Sequence, residues 1–244
     1  MSLTLTIKTA MQTAAGLQLA VLRVPVAGLK YFAPPVTFGD IDFPERRKLK
    51  VVDRQPQYTA TIRPPKMTKR LDLMRGPEEY HNFLIHKQYG IQALCGGRMA
   101  YNHFEMVRYT LGRKINPNTM FPQWRIDPPW LPVTKKGQGQ RMGGGKGAID
   151  HYVTPLKAGR IVLEIGGHCT FDEVKLWLGE IANKLPFKAR AVSQEMLEKD
   201  KLQEIEDAKN NLNPYTMEYI IRNNMAGVQN WISPFDRKWF CKYR

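Results

Sequence analysis

The clearest periodicity in the chain lies between Thr170 and Pro186. Phe171, Val174, Leu178, Ile181 and Leu185 recur at helical spacing and put one apolar stripe on one face. Thr170 and Glu173 form a capping-box pair, in which hydroxyl and carboxylate satisfy reciprocal backbone donors, and Pro186 stops the helix. A second helix is predicted from Met99 to about Gly112, with Phe104, Val107 and Leu111 as its buried stripe. Arg113 and Lys114 close its last turn, where cations face the negative end of the helix dipole. A third helix is predicted over Ser193 to Leu212. Leu202, Ile205 and Leu212 share one side, and Glu195, Glu198, Asp200, Glu204, Glu206 and Asp207 make it acidic. Such a segment avoids phosphate and contacts protein or solvent.

Strand-like runs stand between these helices. Tyr89–Leu94 reads as a short strand ending at Cys95-Gly96-Gly97. His151–Thr154 reads as another, followed by a turn over Pro155–Gly159. Arg160–Ile165 is rich in β-branched residues and ends at Gly166-Gly167, and Lys188–Val192 reads as a closing strand. Asn116–Pro132 carries Pro117, Pro122, Pro128, Pro129 and Pro132, which predicts irregular extended chain with at most a short strand at Gln123–Ile126. Its tryptophans, Trp124 and Trp130, read as packing residues more than as base-stacking platforms. Tyr31–Pro65 is also rich in proline and reads as extended linker, with a short strand at Tyr58–Arg63. The mostly basic patch from Glu45 to Lys50 suits an arm over RNA or a neighbouring protein, and a plain solvated linker fits it equally.

Charge changes this picture. The 244 residues carry a formal net charge of +15 with a pI near 9.8, which points to nucleic acid first and an anionic membrane second. No run approaches the ~20 apolar residues of a membrane span. Cys95, Cys169 and Cys241 are far apart and odd in number, so no disulfide framework follows, and neither they nor the histidines have metal-ligand spacing. From Met1 to Gly39 there is no acidic residue, and the cations are dispersed among Thr, Ser, Ala and Leu, as in a mitochondrial transit peptide. The tail from Asn213 onward holds Tyr215, Tyr219, Trp231, Phe235, Trp239, Phe240 and Tyr243 among Arg and Lys, a composition that predicts a docking surface.

The candidate chemistry concentrates between Lys135 and Gly147. Lys135, Lys136, Arg141 and Lys146 stand among closely spaced glycines, with no acid before Asp150. Glycine lets the backbone take positive φ and approach another surface, and the cations supply charge for a polyanion. A nucleotide loop is testable and fails. The Walker pattern would need Gly where Gln140 stands and Ser or Thr where Gly147 stands, and a dinucleotide pattern starting at Gly137 ends on Met142. A solvated hairpin tip remains the plain alternative. No nucleophile–base pair, paired carboxylates or metal cluster points to catalysis.

With these residues in place, the stretch from about Met67 to Ser193 resembles the bacterial-type ribosomal protein L-sixteen family of the large subunit. Arg141-Met142-Gly143 followed by Gly145-Lys146-Gly147 is nearly that family's signature loop. Tyr89-Gly90-Ile91 with Ala93, Gly97-Arg98, Trp124, Gly159-Arg160-Ile161-Val162 with Glu164, and Ala182 with Lys184-Leu185-Pro186-Phe187-Lys188 keep the family's order and spacing. The sequence departs from the family at Gln92 and Gly144, where Lys is usual, at Gly96, where Arg is usual, and at Tyr152, where Trp is usual.

The resemblance implies an α+β fold of the hammerhead type, two helices packed on a mixed sheet, here with an extended N-terminal arm and a helical C-terminal extension. It implies a structural, non-enzymatic protein without cofactor or metal that binds large-subunit rRNA near the aminoacyl-tRNA site and the peptidyl-transferase region. By that match Arg141 is the tip cation of the loop and Lys146 its second contact; by their charge Arg98, Arg108, Arg113, Lys135, Lys136, Arg160, Lys188 and Arg190 are expected to meet phosphate or sugar as well, with Gly143, Gly145 and Gly147 letting the backbone approach the RNA. With the N-terminus and the added tail, the chain resembles the mitochondrial branch. The expected organisation is a transit-like segment 1–30, a Pro-rich basic arm 31–66, a core domain 67–193 and an extension 194–244. Its expected partners are mitochondrial rRNA, aminoacyl-site tRNA and neighbouring mitochondrial ribosomal proteins in the matrix. A phosphate-handling enzyme built on the glycine loop and a free RNA-binding assembly factor are the alternatives.

Overall fold

Among the described residues seven strands pair into two sheets, and in both the pairing is antiparallel throughout. In the computed structural model, residues 34, 37–39, 41–66 and 71–243 are described. The transit-like segment 1–30 lies outside them. By compactness the chain divides at Thr37/Phe38, and every element below belongs to the second unit. The elements are β1 (Tyr89–Ala93), β2 (Gly97–Ala100), α1 (Tyr101–Lys114), β3 (Met120–Trp124), β4 (Leu131–Lys135), β5 (Ala148–Leu156), β6 (Ile161–Gly167), α2 (Phe171–Asn183), β7 (Ala189–Ser193), α3 (Gln194–Asn210), α4 (Met217–Arg222) and α5 (Pro234–Trp239). One sheet has the order β3-β6-β1-β7 and the other β2-β5-β4. The α+β class is observed. In place of the expected mixed sheet there are two antiparallel ones, and the parallel pairing among the described residues is an isolated bridge between Pro77 and Ala158.

β6 is buried at every position because it is interior to its sheet and covered on both faces. One face meets the stripes of α1 (Phe104, Val107, Leu111) and α2 (Val174, Leu178, Ile181, Ala182) in a single core. On the other, Ile161 packs with Leu84, Val192 and Leu197. The capping box of α2 forms as expected, with the Glu173 carboxylate accepting the Thr170 N–H at 3.1 Å. α1 begins two residues later than expected, because Met99 belongs to β2, where it is fully buried.

The proline-rich stretch after α1 is more regular than its composition predicts. β3 contains Pro122 and β4 contains Pro132, and both are edge strands. An edge strand has one side without a ladder partner, so a missing N–H is tolerated there. Likewise β5 runs through Pro155 to Leu156, because β4 pairs no further along it than Val153. The turn expected from Pro155 therefore falls later, where Gly159 takes φ +90°.

From residue 41 to residue 66 the arm has no repetitive structure, but it packs on the core domain. Leu49 and Val52 are buried in the main core, and Phe43 meets Phe121 edge-on at 5.6 Å. The Trp124 indole donates to the Lys50 carbonyl at 3.0 Å. Tyr58–Arg63 is a turn closed by Ile62 N–H on the Thr59 carbonyl, not a strand.

α3 starts at a Ser193 cap and buries Leu197, then leaves the body. Leu202, Ile205 and Leu212, the apolar side of this acidic segment, are exposed at 63%, 54% and 95%. The tail folds back, and Trp239 packs so closely on Gly76 that a Cβ there would sit 2.8 Å from the indole nitrogen.

Candidate nucleic-acid interface

β4 and β5 pair out to Lys135 opposite Ala148, so residues 136–147 form the tip of a hairpin. Gly147 makes its neck possible. A Cβ on that residue would lie 2.6 Å from the Lys135 carbonyl oxygen, where the two strands part. Beyond the neck, Gly139, Gly143, Gly144 and Gly145 all take positive φ, from +64° to +93°. A Cβ on any of these four would meet nothing among the described residues within 4 Å. Their absence of side chains therefore opens the loop's outer surface rather than relieving an internal clash.

The loop cations divide by role. Lys136 turns inward and its ammonium donates to the carbonyls of Gly143 and Arg141, which closes the loop on itself. Lys135, Arg141 and Lys146 are exposed, with no ion pair to any described residue. Met142 at the tip is 98% exposed.

The remaining expected contacts are scattered. Arg98 on β2 lies opposite Pro155, at the far end of β5, roughly 23 Å of strand from the hairpin neck. Lys188 is exposed nearby, since Gly97 and Phe187, the neighbours of these two cations, pack together. Arg113 is exposed at the C-terminal end of α1. There the arm adds Arg46 and Lys48, which line a groove with Arg108 and Gly112. The basic arm and the basic helix end are each visible in the sequence, but it takes tertiary contacts, the packing of Leu49 and Val52 and the Arg47 hydrogen bonds to the Pro117 and Asn118 carbonyls, to join them.

Three expected cations are engaged within the fold. Arg108 grips Glu105 through Nε at 3.0 Å and Nη2 at 2.6 Å, and this bonding lowers the Glu105 pKa and raises that of Arg108. Arg160 lies 3.4 Å from Glu78 and 3.9 Å from Asp127. Arg190 pairs with Asp200 and donates to the Gln92 side chain at 2.9 and 3.2 Å. That contact gives a reason for Gln92, since a lysine there would repel Arg190. Gly96 is explained too, because a Cβ at that position would collide with the Met74 carbonyl.

Some groupings had no sequence signal. Trp124 does pack, its ring 5.1 Å from Phe104, but Trp130 is 42% exposed. It lines a concavity with Tyr80, Lys157 and Arg160, residues brought together by strand pairing and not by any local motif. Arg125 likewise carries no local motif. It lies 3.5 Å from the fully buried Glu164, which also accepts the His86 N–H at 2.5 Å. Among the described residues, no group of His, Cys, Asp or Glu could hold a metal ion, and no helix is long and apolar enough to cross a membrane.

Residues 62–192 match the family described as ribosomal protein L16p/L10e. A protein of Neorickettsia sennetsu (strain ATCC VR-367 / Miyayama) named large ribosomal subunit protein uL16 is 32% identical over 107 residues, which cover 44% of this chain and 75% of that protein.

Proposed function

Because the chain belongs to the ribosomal protein L16p/L10e family, whose role is structural and rRNA-binding in the large ribosomal subunit, we propose that it is a constituent of the mitochondrial large subunit. In this reading the hairpin tip lies against rRNA near the aminoacyl-tRNA site and helps hold the tRNA acceptor arm at the reaction centre. The observation that carries it is the tip itself, where Arg141 and Lys146 are exposed and flank a run of backbone, Gly143 to Gly145, that has no side chains. Phosphate oxygens can reach the main-chain N–H groups there as well as the cations, and such contacts fix position without reading sequence. Positioning is all that is asked of the protein, since holding a reactant in place is itself a large rate effect.

The mitochondrial assignment draws on the acid-free segment from Met1 to Gly39 and on the extension beyond Ser193. We assign 1–30 to targeting, 31–66 to the arm, 67–193 to the rRNA-binding core and 194–244 to contacts with neighbouring proteins. α3 supports the last of these. Its six carboxylates outnumber its three lysines, which repels phosphate, while Leu202 and Ile205 are exposed. The enzyme alternative gains nothing from the loop, which lacks a nucleotide-binding pattern.

Gradient sedimentation of mitochondrial lysate tests the reading. The chain is expected to co-migrate with the large subunit at low magnesium, when the subunits separate. Recovery only in free or precursor fractions would replace it with the assembly-factor alternative.

A further inference from the structure

The concavity beside Trp130 lies apart from the hairpin tip and is unused by the function proposed above. It has a volume of about 300 Å³, the lower end of the range for small-molecule pockets, and suits one small planar group more than a helix or a strand. Trp130 and Tyr80 line it, and they are 42% and 74% exposed. An exposed tryptophan in a concave wall is unusual, because burying an indole face is strongly favourable when the chain can arrange it. Here the chain fixes the opposite arrangement, since the Trp130 N–H donates to the Val153 carbonyl at 3.3 Å and holds the residue just ahead of β4.

The polar groups are arranged around these rings. Arg160 is mostly buried, tied to Glu78 at 3.4 Å and to the Arg125 carbonyl at 3.4 Å, and its Nε is buried without a partner. Lys157 sits on the same lining. The Asp127 carboxylate lies 3.9 Å from Arg160 and is 76% exposed, so it keeps lone pairs open to a donor in the cleft.

Aromatic faces, a cation and an open carboxylate acceptor are the three elements that hold an unpaired nucleotide: stacking for the base, charge for the phosphate, and an acceptor for an amino group on the base edge. We infer that this concavity receives a single unpaired nucleotide of ribosomal RNA, its base against Trp130 and its phosphate against Lys157. The inference rests on the rRNA-binding reading and places a second contact about the length of β5 away from the hairpin tip.

Stacking and ion pairing differ in salt dependence, and that difference makes the test. The full chain is titrated with its own large-subunit rRNA by filter binding at several salt concentrations. Trp130→Ala should weaken binding roughly 5- to 150-fold with an unchanged log–log salt slope, because no counterion is released by a stacked base. Trp130→Phe should keep most of the affinity, which separates stacking from misfolding. Lys157→Ala should lower the slope by about 0.7. An inert Trp130→Ala, or a Trp130→Phe as weak as Trp130→Ala, overturns the site while tight binding by the unsubstituted chain leaves the ribosomal reading standing. Failure of the unsubstituted chain to bind rRNA overturns both. Lost incorporation into the subunit with unchanged rRNA affinity would give the cleft to a protein neighbour and also overturn the inference.

Discussion

Replacing Arg141 and Lys146 together by alanine tests the hairpin tip where it should touch RNA. Both side chains are exposed and carry no ion pair to the described residues, so the fold loses nothing when they go. Exposed substitutions of this kind stay within about 0.5 kcal/mol, which moves the melting temperature by roughly 2 °C or less in a chain of this size. The effect on RNA should be far larger. Each lost phosphate contact removes roughly 0.7–0.9 from the log–log salt slope, so the pair removes roughly 1.4–1.8. At 0.1 M salt that is about a 25- to 60-fold loss of affinity. Arg108→Ala is the internal comparison. Its guanidinium is already neutralised by Glu105 at 2.6 Å, so its removal should leave the slope nearly unchanged. The measurement is filter binding of the full chain to large-subunit rRNA between 0.05 and 0.3 M potassium chloride (about a sixfold range). An unaltered slope for the double variant, or an equal drop for Arg108→Ala, would refute the argument that the tip contacts phosphate while the helix cation serves the fold.

Two other outcomes follow from groups inside the protein. Arg125→Met leaves the fully buried Glu164 without its cation partner, which should cost about 3–5 kcal/mol in urea denaturation. Adding Glu164→Leu to that variant should recover most of the loss, and a single-variant cost under about 1 kcal/mol would show that the pair is not coupled. Burial, and secondarily the charge of Glu173, pushes the Cys169 thiol up to about 11 from its ordinary 9. The folded state thus favours the neutral thiol, so its contribution to stability is complete below pH 9 and disappears as pH rises through 11. Stability measured against pH should decline across that window, and Cys169→Ala should flatten the decline; an unchanged profile in the variant would assign it to other groups.

Much was legible along the chain because it depends on near neighbours. The stripe of α2 and its capping box, the stripe of α1, β1, β6 and the basic glycine loop all involve residues within a few positions of one another, and their spacing alone implies them. The family motifs were legible for the same reason. The prolines misled because their effect depends on position in a sheet. Pro122 and Pro132 are compatible with strands only because β3 and β4 sit at edges, and edge position is a property of the whole topology. The exposed face of α3 marks another limit, since periodicity reports an apolar stripe but not whether anything covers it.

Cationic side chains divide along the same line. Composition determined that this protein carries a large positive charge, and the sequence placed four of its cations on a glycine-rich loop. Which charges remain available was decided only when distant segments met. Arg190 was taken up by Asp200 and Gln92, Arg160 by Glu78, and Trp130 was left uncovered beside Lys157. Charge is a sum over residues and survives any folding. Availability is a matter of who stands within a few ångströms, and that distance exists only in the folded chain.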